Sequence, residues 1–131
     1  MAQVKRPLSP HLQVYRWGWH MAASIINRAT GAALAFGSIL LTWWLVAMAT
    51  GHDYFDTVQG YAGSIIGRVV LFGITFALMQ HLAGGIRHLL MDMGKLYELK
   101  ANTSSARLTF VFSIVMTIVI WVAAYKVMGV M

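Results

Sequence analysis

Three long apolar stretches, each free of Asp, Glu, Lys and Arg, alternate with short polar segments along this chain. The first runs from Ala29 to Gly51, 23 residues between Arg28 and His52. The second fills the 18 positions between Arg68 and Arg87, and the third the 18 between Arg107 and Lys126. A helix needs about 20 mostly apolar residues to cross hydrocarbon roughly 30 Å thick. The first stretch meets that length alone, and the others reach it once their flanking cations snorkel to the headgroups. Backbone polar groups cannot be left unpaired in lipid, so each stretch is expected to be a continuous helix. The pattern predicts an all-α membrane protein: one anchor domain over residues 1–131, with spans near 25–49, 65–90 and 106–128. There is no internal repeat. The first stretch starts late and runs too long for a cleaved signal peptide.

Composition agrees with the pattern. Of 131 residues, 59% are hydrophobic and 11% charged, against roughly 45–50% and about 25% in soluble proteins. So little polar surface could not bury three such helices, although Gln80, His81, Gly84 and Gly85 interrupt the second. The formal charge of +6 would suit nucleic acid, but the cations bracket the apolar stretches and exclude that partner. The chain has no cysteine, hence no disulfide and no thiolate chemistry.

Charge placement sets an expected orientation. Lys5, Arg6, Arg16 and Arg28 precede the first span without an acid, and Asp53 and Asp56 follow it. Arg87, Lys95, Lys100 and Arg107 surround the second connection against Asp92 and Glu98. The positive-inside rule places the N-terminus and second connection in the cytoplasm, and the first connection and C-terminus outside. The two prolines of Arg6–Leu12 read as an extended lead-in, and His11–Met21 as an interfacial helix or turn carrying Tyr15, Trp17 and Trp19. His52–Gly60 reads as a short exterior loop, and Ala101–Ser105 as the cap of the third helix.

Unusual polar groups gather toward the cytoplasmic ends of the first two helices. Ser24, Arg28, Gly31, Ala35, Ser38 and Thr42 share one face of the first. Such a small or polar seam admits a neighbouring helix or a flat cofactor, and hydroxyls bonded to their own backbone are its plainest explanation. Arg28 keeps its charge and wants an anion or polar partner. On the second helix, His81, Gly85, His88 and Asp92 follow steps of four, three and four, and Gly84 and Gly85 remove bulk beside His81. An imidazole inside hydrocarbon needs a partner, so His81 is either a haem ligand or a member of a helix-to-helix hydrogen bond. The third stretch, with Ser113 and Thr117, reads as structural. His81 and His88 lie on one helix and cannot grip both faces of one porphyrin. The chain therefore reads as half of a site and as part of a heteromeric helix bundle.

Two motifs carry a resemblance over nearly the whole chain. One runs from Arg6-Pro7-Leu8 through Leu12 to Ser24-Ile25-Ile26-Asn27-Arg28-Ala29-Thr30-Gly31. The other is His81-Leu82-Ala83-Gly84-Gly85-Ile86-Arg87-His88-Leu89-Leu90-Met91-Asp92-Met93-Gly94. Together they resemble the cytochrome b-type membrane anchor subunit of succinate dehydrogenase (succinate:quinone oxidoreductase).

The resemblance implies that His81 is an axial ligand of a haem b shared with a second hydrophobic anchor subunit. It implies that Ser24 and Arg28 lie at a ubiquinone site beside the iron–sulfur subunit, with Arg28 also near the haem propionates. Asn27, Arg87, His88 and Asp92 would belong to the propionate region or polar mouth. The family usually has His where this chain has Asn27, which can hydrogen-bond but cannot titrate near neutral pH. Flavin and iron–sulfur clusters would sit only in partner subunits. The chain would not be catalytic alone, but would support electron transfer from succinate to ubiquinone. A fumarate reductase anchor and a haem-free structural subunit are the alternatives. The lack of a basic presequence before the first motif favours a bacterial inner membrane over a mitochondrial protein imported from the cytosol.

Overall fold

A computed structural model describes residues 17–129 as four helices in the order α1 Trp19–Thr50, α2 His52–Gly63, α3 Ile65–Asp92 and α4 Leu99–Val127. The lead-in at Arg6–Leu12, with Lys5, His11, Tyr15 and Arg16, lies outside the described residues. Helices α1, α3 and α4, of 32, 28 and 29 residues, are long and apolar enough to cross a membrane. α3 packs against both α1 and α4, and α1 also touches α4.

The boundaries depart from the expected ones in three places. Trp19 to Met21 do not form a separate interfacial element but open α1 directly, after an extended Gly18. α4 starts at Leu99, so Ala101–Ser105 lies inside its opening turns and caps nothing. His52–Gly60 is no loop; it belongs to the 12-residue helix α2. Glycines at 60 and 63 hide α2 in the sequence, yet Phe55, Val58 and Ala62 fall on one inward face and Asp53 suits its N-terminus. α2 is tied to the end of α1 by aromatic contacts. Trp43 Nε1 donates to Tyr54 Oη at 2.8 Å, and Trp44 Nε1 donates to Gln59 Oε1 at 2.9 Å. Trp44 also meets Phe55 edge-on at 5.6 Å.

The turn into α3 is built locally. Ser64 accepts a hydrogen bond from Gly67 N at 3.1 Å and caps the helix. Arg68 Nε reaches Gly63 O at 2.8 Å. A side chain at Gly67 would place its Cβ 2.2 Å from the Tyr61 carbonyl, so only glycine lets the two helices approach this closely.

The interior is made of small and polar side chains. Ala23, Thr30, Gly37 and Ala47 are buried on α1; Ala77, Gln80, Gly84 and Arg87 on α3; Ala106, Thr109, Ser113 and Thr117 on α4. Large apolar residues such as Phe36, Ile39, Leu78 and Ile114 point outward. This arrangement suits hydrocarbon, where burying Leu gains little and close backbone approach gains contact.

Candidate functional site

His81 on α3 turns its ring toward α1. Its Nδ1 lies 3.1 Å from the Asn27 carbonyl oxygen and 3.5 Å from Thr30 Oγ1. Thr30 is itself buried and donates to Ile26 O at 2.8 Å and Asn27 O at 3.0 Å, the usual back-bond of a helical threonine. Gly31 gives this approach room, since a Cβ there would lie 3.1 Å from His81 Cε1, tighter than an ordinary contact. The ring is half-buried, and no described residue is hydrogen-bonded to its Nε2. One imidazole thus makes the interhelical hydrogen bond with one nitrogen and keeps the other available.

The two glycines after His81 differ in surroundings. Gly84 is filled from across the helix pair, because an added Cβ would sit 2.3 Å from Asn27 Oδ1. Gly85 faces open space, with nothing within 4 Å of the same test atom. Only Gly85 offers bare backbone to an incoming flat group. Asn27 Oδ1, pressed on Gly84, is buried and has no hydrogen-bond partner.

Arg87 faces elsewhere. It is 6% exposed and aims at α4, where its Nε donates to Ser105 Oγ at 3.1 Å and its Nη2 donates to Asn102 Oδ1. Ser105 is held by Asn102 O at 2.9 Å. Gln80, two turns earlier on the same buried stripe, is fully buried and donates to Thr109 Oγ1 at 3.3 Å. His88 and Asp92 are exposed near the end of α3. On α1, Ser24 is half-buried and Arg28 exposed, and neither makes a hydrogen bond or ion pair among the described residues. The structure therefore brings His81 together with Asn27, Thr30 and Gly31, leaves Ser24, Arg28, His88 and Asp92 open, and commits Arg87 to α4. Farther along α1, Ala35, Ser38 and Thr42 are exposed, with Ser38 and Thr42 bonded to their own backbone at 2.7 and 2.8 Å.

Residues 2–120 match the family described as succinate dehydrogenase/fumarate reductase transmembrane subunit. The chain belongs to this family. Among similar members of the transmembrane-subunit family, the succinate dehydrogenase cytochrome b556 subunit of Paracoccus denitrificans is 41% identical over 113 residues, covering 86% of this chain and 87% of that one. The subunit of the same name from Rickettsia felis is 36% identical over 118 residues, 90% of this chain and 92% of its own. The mitochondrial cytochrome b560 subunit of Sus scrofa is 34% identical over 117 residues, 86% of this chain and 68% of its own. The family match includes both the segment around Arg28 and the segment around His81.

Thr30, Gln80, Asn102 and Ser105 carry no site role in the sequence reading, where they appear only within longer segments. Thr30 could have been given one: it lies three residues from Asn27 on the helix that carries Arg28, where a hydroxyl reaches any ring docked against that turn. The partners of Arg87 had no sequence signal, because they depend on where α4 begins.

Proposed function

We propose that this chain is the haem b- and quinone-binding membrane anchor of a succinate:quinone oxidoreductase, working beside a second hydrophobic anchor subunit, an iron–sulfur subunit and a flavoprotein subunit. The observation that carries this reading is His81, whose Nδ1 is occupied by α1 while Nε2 is left without a described partner, one turn from the open backbone of Gly85. A haem-ligating histidine has this form, one ring nitrogen held by a protein oxygen and the other free for iron. The residues present therefore fit the group. Among the described residues no cluster of three or more His, Asp or Glu side chains could hold a metal ion. A single imidazole suits a ligand set divided between two chains.

His81 would hold the haem b through Nε2. When bound, the haem supplies one-electron redox capacity within the membrane. The rest of the chemistry belongs to this chain's own side chains. Arg28, exposed and unpaired among the described residues, can donate a charge-assisted hydrogen bond to a quinone oxygen as that oxygen gains electron density. The hydroxyl of Ser24, one turn earlier on α1, can donate a second. Both lie in the opening turns of α1, where a quinone headgroup can meet an electron carrier in a peripheral subunit and take protons from water. His88 and Asp92 complete the polar mouth, with Arg28 as the cation available to propionates. Asn27 and Arg87 contribute by fixing helix positions, Asn27 against Gly84 and Arg87 against Asn102 and Ser105.

The exposed strip of Ala35, Ser38 and Thr42 is suited to the close approach of a helix from the second anchor subunit. Three apolar helices and the bacterial relatives support a multi-pass bacterial inner-membrane protein, and the excess of cations at the N-terminal side and around the α3–α4 connection supports a cytoplasmic N-terminus and a periplasmic C-terminus. Purification in mild detergent tests the proposal. Co-purification of a flavoprotein, an iron–sulfur protein and a second hydrophobic subunit, with a b-type reduced-minus-oxidised spectrum, is the expected result. The same subunits without a haem spectrum would leave a structural anchor.

A further inference from the structure

Two oxygens of α1 face His81 Nδ1, and neither can give it a proton. The Asn27 carbonyl carries none. The single hydroxyl proton of Thr30 is engaged by Ile26 O at 2.8 Å and Asn27 O at 3.0 Å, both much shorter than the 3.5 Å to Nδ1. Were Nδ1 unprotonated, its lone pair would oppose the Asn27 carbonyl at 3.1 Å, an unfavourable contact in a site where Thr30 is 7% exposed. Nδ1 therefore carries the hydrogen and the neutral ring keeps its basic lone pair on Nε2. The backbone carbonyl does not depend on a side chain, but the hydroxyl does, and residue 30 is where the sequence controls this arrangement.

We propose that Thr30 is a positioning residue for His81: its hydroxyl, oriented by Ile26 O, completes with the Asn27 carbonyl a two-oxygen acceptor that holds the Nδ1–H tautomer and keeps Nε2 free as the ligating atom. The proposal rests on the reading of His81 as a haem ligand. A hydrogen bond donated from Nδ1 raises the electron density of the ring, makes Nε2 a stronger donor and favours the oxidised iron. Weakening the acceptor pair shifts the haem potential upward and loosens the ring's orientation, whereas a residue that only packs would leave the potential where it is.

The test uses the assembled complex with Thr30→Val, Thr30→Ser and, as control, His81→Ala. Redox titration of the haem band should show an upward shift for Thr30→Val and a return toward the original potential for Thr30→Ser, which restores the hydroxyl. The low-temperature electron paramagnetic resonance signal of the oxidised haem should change and recover in parallel. If valine hinders assembly, Thr30→Ala removes the same hydroxyl without added bulk and reads the same shift. Equal potentials in the hydroxyl-free and hydroxyl-bearing variants overturn the role of Thr30. The control separates that failure from failure of the ligand reading: His81→Ala with an unchanged haem spectrum overturns the ligand reading itself, while a lost spectrum beside an unmoved Thr30→Val potential removes only Thr30.

Discussion

Gly84 and Asn27 interlock across the α1–α3 pair: a methyl on Gly84 would lie 2.3 Å from Asn27 Oδ1 and 3.0 Å from its Cγ. The asparagine is caught between helices, with Oδ1 buried and unpartnered. Gly84→Ala should destabilise the assembled complex by about 1–3 kcal/mol, the usual cost of overpacking. Asn27→Ala in the same chain should recover most of that loss. Thermal unfolding of both single variants and the double variant measures the coupling. Strictly additive losses would contradict the contact.

How far the sequence carried this picture depended on which interactions were local. Three apolar stretches between clustered cations were enough to place α1, α3 and α4, because the bilayer forces each into a helix. α2 was hidden, since its short polar run with Gly60 and Gly63 is helical only because Phe55 and Val58 pack inward. The face carrying His81, Gly85, His88 and Asp92 could be read from spacing. Spacing could not show that Gly84 is filled and Gly85 open, because that depends on Asn27, 57 positions away in the chain. Arg87 shares a motif with His81 but not a direction; Asn102 and Ser105 come within its reach only because α4 starts at Leu99.

Gly85 separates haem binding from helix packing. With nothing within 4 Å of an added Cβ, Gly85→Ala disturbs no contact in this chain, and alanine favours the helix by up to about 1 kcal/mol. The variant should assemble fully yet retain less haem, measured as haem per covalently or tightly bound flavin in the purified complex. Full haem content would show that no flat group lies over this position.

Arg28→Leu should impair succinate-driven quinone reduction strongly and Ser24→Ala more mildly. Loss of one well-placed donor to developing negative charge costs roughly 2.7–4 kcal/mol, about 10²–10³ in turnover, and less where water reaches the site. Electron delivery from succinate to a soluble dye that bypasses the quinone should survive in both. A parallel fall of the two activities would instead assign Arg28 to assembly.

Orientation is tested by reporter fusions after Met131 and within Ala101–Ser105. The charge distribution predicts opposite compartments, periplasmic for the first and cytoplasmic for the second. One compartment for both would overturn the three-span arrangement.

In the proposed reading, His81 supplies this chain's axial bond to a haem completed by another subunit. The reduced-minus-oxidised spectrum of the purified complex carrying His81→Ala, compared with the unmodified complex at equal flavin content, tests it most directly. A lost or displaced b-type band, with succinate-to-dye activity persisting, is the expected result. An unmodified band at full intensity in the His81→Ala complex would contradict it.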